Sequence, residues 1–339
     1  MLKRKNRNRR QLRVEALERR NLLAAGFFYD SGQELEHGRD VALGDLNGDG
    51  HLDAISTVLG GATRVLLNDG TGSYTAHGTS FEGGEDVELG DLDGDGDLDV
   101  VLAKVSHSVW LNDGTGLFES TGQSFNPGWD TRAVSLGDLD GDGDLDVYEA
   151  NNNGGCRRGG KKCTEQPNRV LLNDGDGNFS DSLQRLGLNW SNDVALSDLD
   201  GDGDLDAFVA NHGSDAGDGY NPDKVWINQG GAQGGQMGIF VDSGQEIGIF
   251  DELNETGYGY MSHRVALEDF DLDGDLDAFV ISGGNGHYLY RRKPDLLWLN
   301  DGTGFFSDSG QRLGADGGEA LATGDIDGDG DVDAFVANR

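Results

Sequence analysis

Six stretches of this chain carry oxygen ligands at one fixed spacing. The clearest reads Asp138-Leu139-Asp140-Gly141-Asp142-Gly143-Asp144-Leu145-Asp146, with carboxylates at positions 1, 3, 5 and 9. The first copy sets Asp45, Asn47, Asp49 and Asp53 at those positions, and the second sets Asp91, Asp93, Asp95 and Asp99. The fourth sets Asp198, Asp200, Asp202 and Asp206, the fifth Asp269, Asp271, Asp273 and Asp277, and the sixth Asp325, Asp327, Asp329 and Asp333. Hard oxygens at alternate positions of a tight loop suit Ca²⁺, which accepts six to eight of them with loose geometry. Position 7 is expected to lend its main-chain carbonyl. Its side chain is then free to vary, as His51, Asp97, Asp144, Asp204, Asp275 and Asp331 do. A glycine at position 6, such as Gly50 or Gly143, permits the positive φ that wrapping round an ion needs. The fifth copy departs at position 4, where Leu272 replaces glycine.

Asp-Gly runs also make ordinary turns. Six copies with one ligand spacing favour about six calcium sites instead. An EF-hand would need Glu at position 12 and flanking helices. Position 12 is Ser56, Leu102, Glu149, Val209, Val280 or Val336. A short β-prone run such as residues 205–210 follows each loop, so each loop is expected to join two strands.

The elements that must hold these loops repeat with them. In residues 134–184 the pattern predicts strand A at 134–137, the acidic loop, strand B at 146–150, strand C at 169–172 and strand D at 178–182. Strands C and D meet at an Asn-Asp-Gly-x-Gly turn, at Asn68, Asn112, Asn173 and Asn300. Successive loops start 46, 47, 60, 71 and 56 residues apart. Four short strands in about 45 residues is the period of a β-propeller blade. Near-continuous apolar strands suit blades packed on both faces. Trp110, Trp226 and Trp298 hold one position of strand C and are expected to pack between blades.

The fold class is therefore all-β: a propeller of six four-stranded blades, or seven in a longer parent chain. Residues 27–34 match strand D, and the last repeat stops after strands A and B. One blade is expected to combine strands from both termini, with strand C absent from both. Residues 1–25 form a separate basic leader, and residues 26–339 one propeller domain.

The leader holds nine Lys/Arg and two Glu, whereas the whole chain has a net charge of −36. Such an acidic body is a poor partner for nucleic acid or an anionic membrane surface. The ligand positions hold 23 of the acids, so without metal the loops should repel themselves. The leader's apolar part is too short to span a bilayer.

Antiparallel strands place the A–B and C–D connections on one face and the B–C and D–A connections on the other. The long insertions are mostly B–C, which gives an ion face and a variable face suited to recognition. Residues 151–168 carry Arg157, Arg158, Lys161 and Lys162; residues 282–294 carry His287, Tyr288, Tyr290, Arg291 and Arg292. Residues 248–263 add Tyr258, Tyr260 and His263. Tyr and Arg are enriched at binding hot spots, and this mixture suits an acidic glycan or protein surface. Solvated long loops are the alternative. Cys156 and Cys163 are the only cysteines; in an exported chain they are expected to form one local disulfide, a two-Cys zinc site lacking further ligands nearby.

The Gly-Asp-Leu-Asp-Gly-Asp-Gly-Asp-Leu-Asp core, with Val-Ala-Asn after it and Val225-Trp226-Ile227-Asn228 beyond, resembles the FG-GAP/VCBS repeats of integrin-α-like propellers. The resemblance spans about residues 27–339. It implies a propeller with Ca²⁺ in the A–B loops, commonly used in extracellular recognition and adhesion. Residues 17–24 resemble the LEPR-XLL segment of exported bacterial proteins, with Arg19 where that family has Pro; this implies a secreted or surface location. The expected role is a non-catalytic, calcium-stabilised module that binds an extracellular protein or glycan. The alternative is a calcium-assisted polysaccharide lyase or hydrolase. No Gly-x-Ser-x-Gly elbow, His-Glu-x-x-His or phosphate loop is present, and the seven His are scattered singly.

Overall fold

A computed structural model describes residues 38–58, 61–104, 107–123, 125, 130–152, 166–212, 221–248, 261–283, 293–314 and 317–338. It forms a ring of antiparallel sheets in chain order. Blade 1 is β1 (Asp40–Gly44), β2 (Asp53–Thr57), β3 (Ala62–Asn68) and β4 (Tyr74–Glu82). Blade 2 is β5 (Asp86–Gly90), β6 (Asp99–Ala103), β7 (Ser108–Asn112) and β8 (Phe118–Ser120). Blade 3 is β9 (Thr131–Gly137), β10 (Asp146–Asn151), β11 (Arg169–Asn173) and β12 (Phe179–Asp181). Blade 4 is β13 (Ser191–Ser197), β14 (Asp206–Asn211), β15 (Lys224–Asn228) and β16 (Phe240–Asp242). Blade 5 is β17 (Ser262–Glu268), β18 (Asp277–Ser282), β19 (Asp295–Asn300) and β20 (Phe306–Leu313). Blade 6 has two strands among the described residues, β21 (Gly318–Gly324) and β22 (Asp333–Asn338). The expected β-propeller is thus present. The predicted N-terminal D strand at residues 27–34 lies outside the described residues, as do the leader and both cysteines. No described helix is long and apolar enough to cross a membrane.

Strand A begins three residues earlier in blade 3 than the apolar pattern predicts. The ladder continues past a bulge, where Thr131 pairs with Asn151. The polar ends of both strands satisfy each other there, with the Thr131 hydroxyl donating to the Asn151 side-chain oxygen.

Burial explains the apolar runs of the B strands. In β6, Val100 and Leu102 face blade 1, while Val101 and Ala103 face blade 3. In β14, Ala207 and Val209 face blade 3 while Phe208 faces blade 5. A strand buried on both sides loses the polar alternation of a one-sided sheet. Trp226 and Trp298 are buried in inter-blade clusters, and Trp110 stacks on Phe81 with ring centroids 4.6 Å apart. The cores end where neighbours end. Val41 is 58% exposed in blade 1 and Phe335 65% in blade 6, whereas their counterparts Val87 and Phe208 are 4% and 0% exposed.

Polar side chains stitch the blades at two further depths. Near the axis, Asp40, Asp86 and Asp193 accept from the Val87, Val134 and Val265 amides of the next blade, at 3.1, 3.0 and 2.9 Å. At the rim, the Gln123, Gln184 and Gln245 carboxamides each bridge to a carbonyl and an amide of the next blade's C–D turn, as Gln123 does to Gly177 and Phe179. Each pairs backbone groups that burial would otherwise leave unsatisfied.

Candidate metal centres

Each acidic loop folds around its own first carboxylate. Asp91 accepts from the Gly94 and Gly96 amides at 2.8 and 3.1 Å, and Asp138 from those of Gly141 and Gly143 at 2.7 and 3.1 Å. The Gly50 amide chiefly holds the Asp45 carboxyl below the usual carboxylate range. Both glycine positions have positive φ: in loop three Gly141 is at 81° and Gly143 at 100°. In loop five Leu272 is forced into the same conformation at φ 63° and is 60% exposed.

Position 9 does more than ligand spacing alone indicates. Asp53, Asp99, Asp146, Asp206 and Asp277 are fully buried. One oxygen of each accepts from the amide of position 2, and the other from the asparagine amide ending strand C. For Asp206 these are Leu199 at 3.0 Å and Asn228 at 2.8 Å. That asparagine in turn donates across the blade boundary. Asn228 Nδ2 reaches the Leu139 carbonyl of the previous blade at 2.9 Å, and Asn112, Asn173 and Asn300 repeat the contact. Position 9 therefore ties the loop to its own blade, and the asparagine ties that blade to the one before it. Burial pushes the carboxyls of Asp99, Asp146 and Asp277 up to about 6 and that of Asp206 to about 7.

The loops bring predicted ligands together in two ways. Positions 1, 3 and 9 can place one oxygen each within 4.8 Å of one another in loops two, three, four and six: Asp91/Asp93/Asp99, Asp138/Asp140/Asp146, Asp198/Asp200/Asp206 and Asp325/Asp327/Asp333. In loop five the set is Asp269, Asp271 and Asp273. Position 5 turns back on the loop, accepting from the position 7 amide as Asp95 does from Asp97 at 2.9 Å and Asp273 from Asp275 at 3.0 Å. In loop one, Asn47 accepts from the Asp49 amide at 3.0 Å. Position 3 is squeezed between burial and the position 5 charge, and both raise its pKa, as at Asp93, Asp140 and Asp271. Asp140 Oδ1 and Asp200 Oδ1 are buried with no hydrogen-bond partner. Clustered hard oxygens, some lacking any donor, form sets that could hold a divalent cation.

Position 7 side chains point away from the triads, onto the C–D turn. A Cβ at Gly70 would fall 2.4 Å from the His51 ring, and one at Gly114 or Gly175 would fall 2.5 Å from Asp97 or Asp144. This close approach, with φ of 76–79° at those three glycines, is why the C–D turn keeps glycine there.

The variable-face candidates Arg157, Arg158, Lys161, Lys162, Tyr258, Tyr260, His287, Tyr288, Tyr290, Arg291 and Arg292 lie outside the described residues. His263 is described; it is half-buried at the start of β17, its ring against Gly283. Glu149, the one acid at position 12, is no ligand. It is fully buried and accepts from Arg169 Nε at 3.0 Å, with His107 Nδ1 at 3.1 Å. The axial end of the ring had a sequence signal in the residue five before four of the six loops: Asp40, Asp86, Asp193 and Arg264. Arg264 Nη1 stands 3.3 Å from Asp193 and 3.6 Å from Asp86, beside an axial cavity of about 530 Å³. Burial pushes Glu88, on the same cavity, up to about 7.

The model of the FG-GAP-like repeat matches residues 45–102, 91–149 and 269–336, each span running from one acidic loop through the next and into the strand that follows it. The chain belongs to the FG-GAP-like repeat family. Among solved structures, this FG-GAP-like propeller is similar to BBS1N in complex with ARL6DN, soaked with lead. The TM-score is 0.48 at 9% identity, over 90% of this chain and 77% of that one. It is also similar to an exo-β-1,3-galactanase from Phanerochaete chrysosporium with β-1,3-galactotriose, with TM-score 0.38, 11% identity, and 82% and 68% of the two chains covered. The exotype rhamnogalacturonan lyase YesX follows at TM-score 0.36 and 16% identity, over 88% of this chain and 56% of that one. No curated protein matches.

Proposed function

We propose that this FG-GAP-like propeller is an exported module that binds Ca²⁺ in its six A–B loops and recognises an extracellular protein or glycan without turning it over. The observation that carries the calcium reading is the recurring triad with donor-free buried oxygens at Asp140 and Asp200. All-oxygen, carboxylate-rich sets on flexible loops favour Ca²⁺ over ions that demand nitrogen, sulfur or strict octahedral geometry. Asp45, Asn47 and Asp53 would serve loop one, and positions 1, 3 and 9 the loops two, three, four and six. Ligation supplies positive charge to a cluster that otherwise repels itself, so the ion stabilises by mass action. Export is supported by the leader's resemblance to LEPR-XLL segments, and recognition by the tyrosine- and arginine-bearing insertions.

The test is an array of glycans and extracellular proteins probed with the full chain in calcium and again in EDTA. Saturable binding that disappears on chelation, with the bound ligand recovered intact, is expected. Products released from the ligand would contradict the non-catalytic role, and binding indifferent to EDTA would contradict the calcium requirement.

A further inference from the structure

Blade 6 presents a strand edge that every other blade covers. In blades 1 to 5 strand B pairs with strand A on one side and strand C on the other, whereas β22 pairs with β21 alone among the described residues. The covering strand keeps one register. Ala207, Phe208 and Val209 pair with Trp226, Val225 and Lys224 in blade 4, and Ala278, Phe279 and Val280 with Trp298, Leu297 and Leu296 in blade 5. Ala334, Phe335 and Val336 hold the equivalent places in β22.

Three groups around that edge correspond to groups that bind a strand C and its turn elsewhere. In blades 1 to 5 the second oxygen of the position 9 aspartate accepts from the amide of the asparagine ending strand C, as Asp277 does from Asn300 at 2.9 Å. Asp333 accepts from the Ile326 amide alone among the described residues, at 3.0 Å. The position 2 carbonyl of blades 1 to 4 takes the carboxamide of the next blade's asparagine, as Leu199 takes Asn300 Nδ2 at 2.8 Å. The Phe270 carbonyl of blade 5 meets no such donor among the described residues. At the rim, Gln123, Gln184 and Gln245 are half-buried on the next blade's turn, while Gln311, their counterpart before blade 6, is exposed. Phe335 is 65% exposed, against 0% and 4% for Phe208 and Phe279. The five segments of this chain that read as three apolar residues, Asn, and then Asp-Gly or Gln-Gly end at Asn68, Asn112, Asn173, Asn228 and Asn300. Each is paired within its own blade.

We propose that the edge of blade 6 is a docking site, beyond the variable face, for a protein partner that adds one extended strand in the strand C register. That strand ends in asparagine and runs into an Asp-Gly turn. Its asparagine donates the main-chain amide to Asp333 and the carboxamide to the Phe270 carbonyl, and Gln311 clasps the turn. The residue three before the asparagine is apolar and covers Phe335, as Val225 covers Phe208. The residue two before it is large and packs towards blade 5, as Trp226 packs towards blade 3. An open strand edge is a template for another chain. Main-chain pairing supplies affinity there, and the pockets for alternate side chains supply specificity.

The test titrates the full chain, in millimolar Ca²⁺, into a fluorescein-labelled synthetic peptide with the sequence of residues 295–306, and follows anisotropy. That peptide carries strand C and the turn of blade 5. Saturable binding of one peptide per chain is expected. Asn300→Ala in the peptide should weaken it about tenfold or more, because two hydrogen bonds are lost. Gln311→Ala in the chain, at an exposed position, should weaken it by about threefold to tenfold. Absence of binding would overturn the proposal, as would an affinity indifferent to either change. Self-association of the chain that excludes the peptide would also overturn it, since the edge would then serve a second copy.

Discussion

Loops four and five share one ligand spacing and differ in nearly everything built upon it. Loop four has glycine at position 4, a long turn folded over it and a buried carboxylate at position 7. Loop five has the strained Leu272 at position 4, a short turn and an exposed tip. Their candidate ligand sets differ too: positions 1, 3 and 9 in loop four, and positions 1, 3 and 5 in loop five. Ligand spacing therefore decides that a loop curls round a point. The neighbouring turn decides how dry that point is.

The largest expected effect tests what the two loops keep in common. Asp206→Ala removes the acceptor for two backbone amides, and Asp277→Ala does the same in loop five. Each should cost about 3 kcal/mol of unfolding free energy, measured by urea denaturation in EDTA. Equal costs would show that the position 9 bracket is structural and independent of the long turn. A much larger cost at loop four would show that the long turn, not the bracket, holds that blade.

A smaller effect probes position 4. Leu272→Gly relieves an L-residue held at φ 63° and should raise stability by about 1 kcal/mol. Gly201→Leu places a side chain at φ 76° in loop four, where its Cβ would meet nothing closer than the Gly302 carbonyl at 3.7 Å. It should therefore lower stability by about 1–2 kcal/mol through backbone strain alone. The same urea titration reads both, and changes of equal sign would break the comparison.

The propeller and its loops were legible in the sequence because their signals are local. The acidic motif fixes its own turn, and Asn-Asp-Gly-x-Gly fixes the next. What escaped depends on residues distant in the chain. That Asp206 reaches Asn228, and Asn228 the previous blade at Leu139, follows only once blades stand side by side. Glu149 read as a stray acid until Arg169 and His107 appeared around it. Residues 229–238 depart from the short Asn-Asp-Gly-x-Gly turn, with nothing in their composition to show that they fold onto Asp202 and Asp204. The Asp and Arg five residues before four of the loops did repeat visibly. Their role needed the ring, since Arg264 meets Asp86 across three blades.

Thermal melting of the full chain in millimolar Ca²⁺ and in excess EDTA, at pH 5 and pH 8, tests the calcium account most directly. At pH 8 chelation should lower the Tm by roughly 5–15 °C. Without ions, burial holds the carboxyls of Asp99, Asp146, Asp206 and Asp277 up at about 6–7, so folding favours their protonated form. The stability of the ion-free chain should therefore fall as pH rises through that range. Bound Ca²⁺ neutralises the ionised carboxylates, so the gap between the two melts should be wider at pH 8 than at pH 5. Identical melts with and without EDTA at pH 8 would contradict the account.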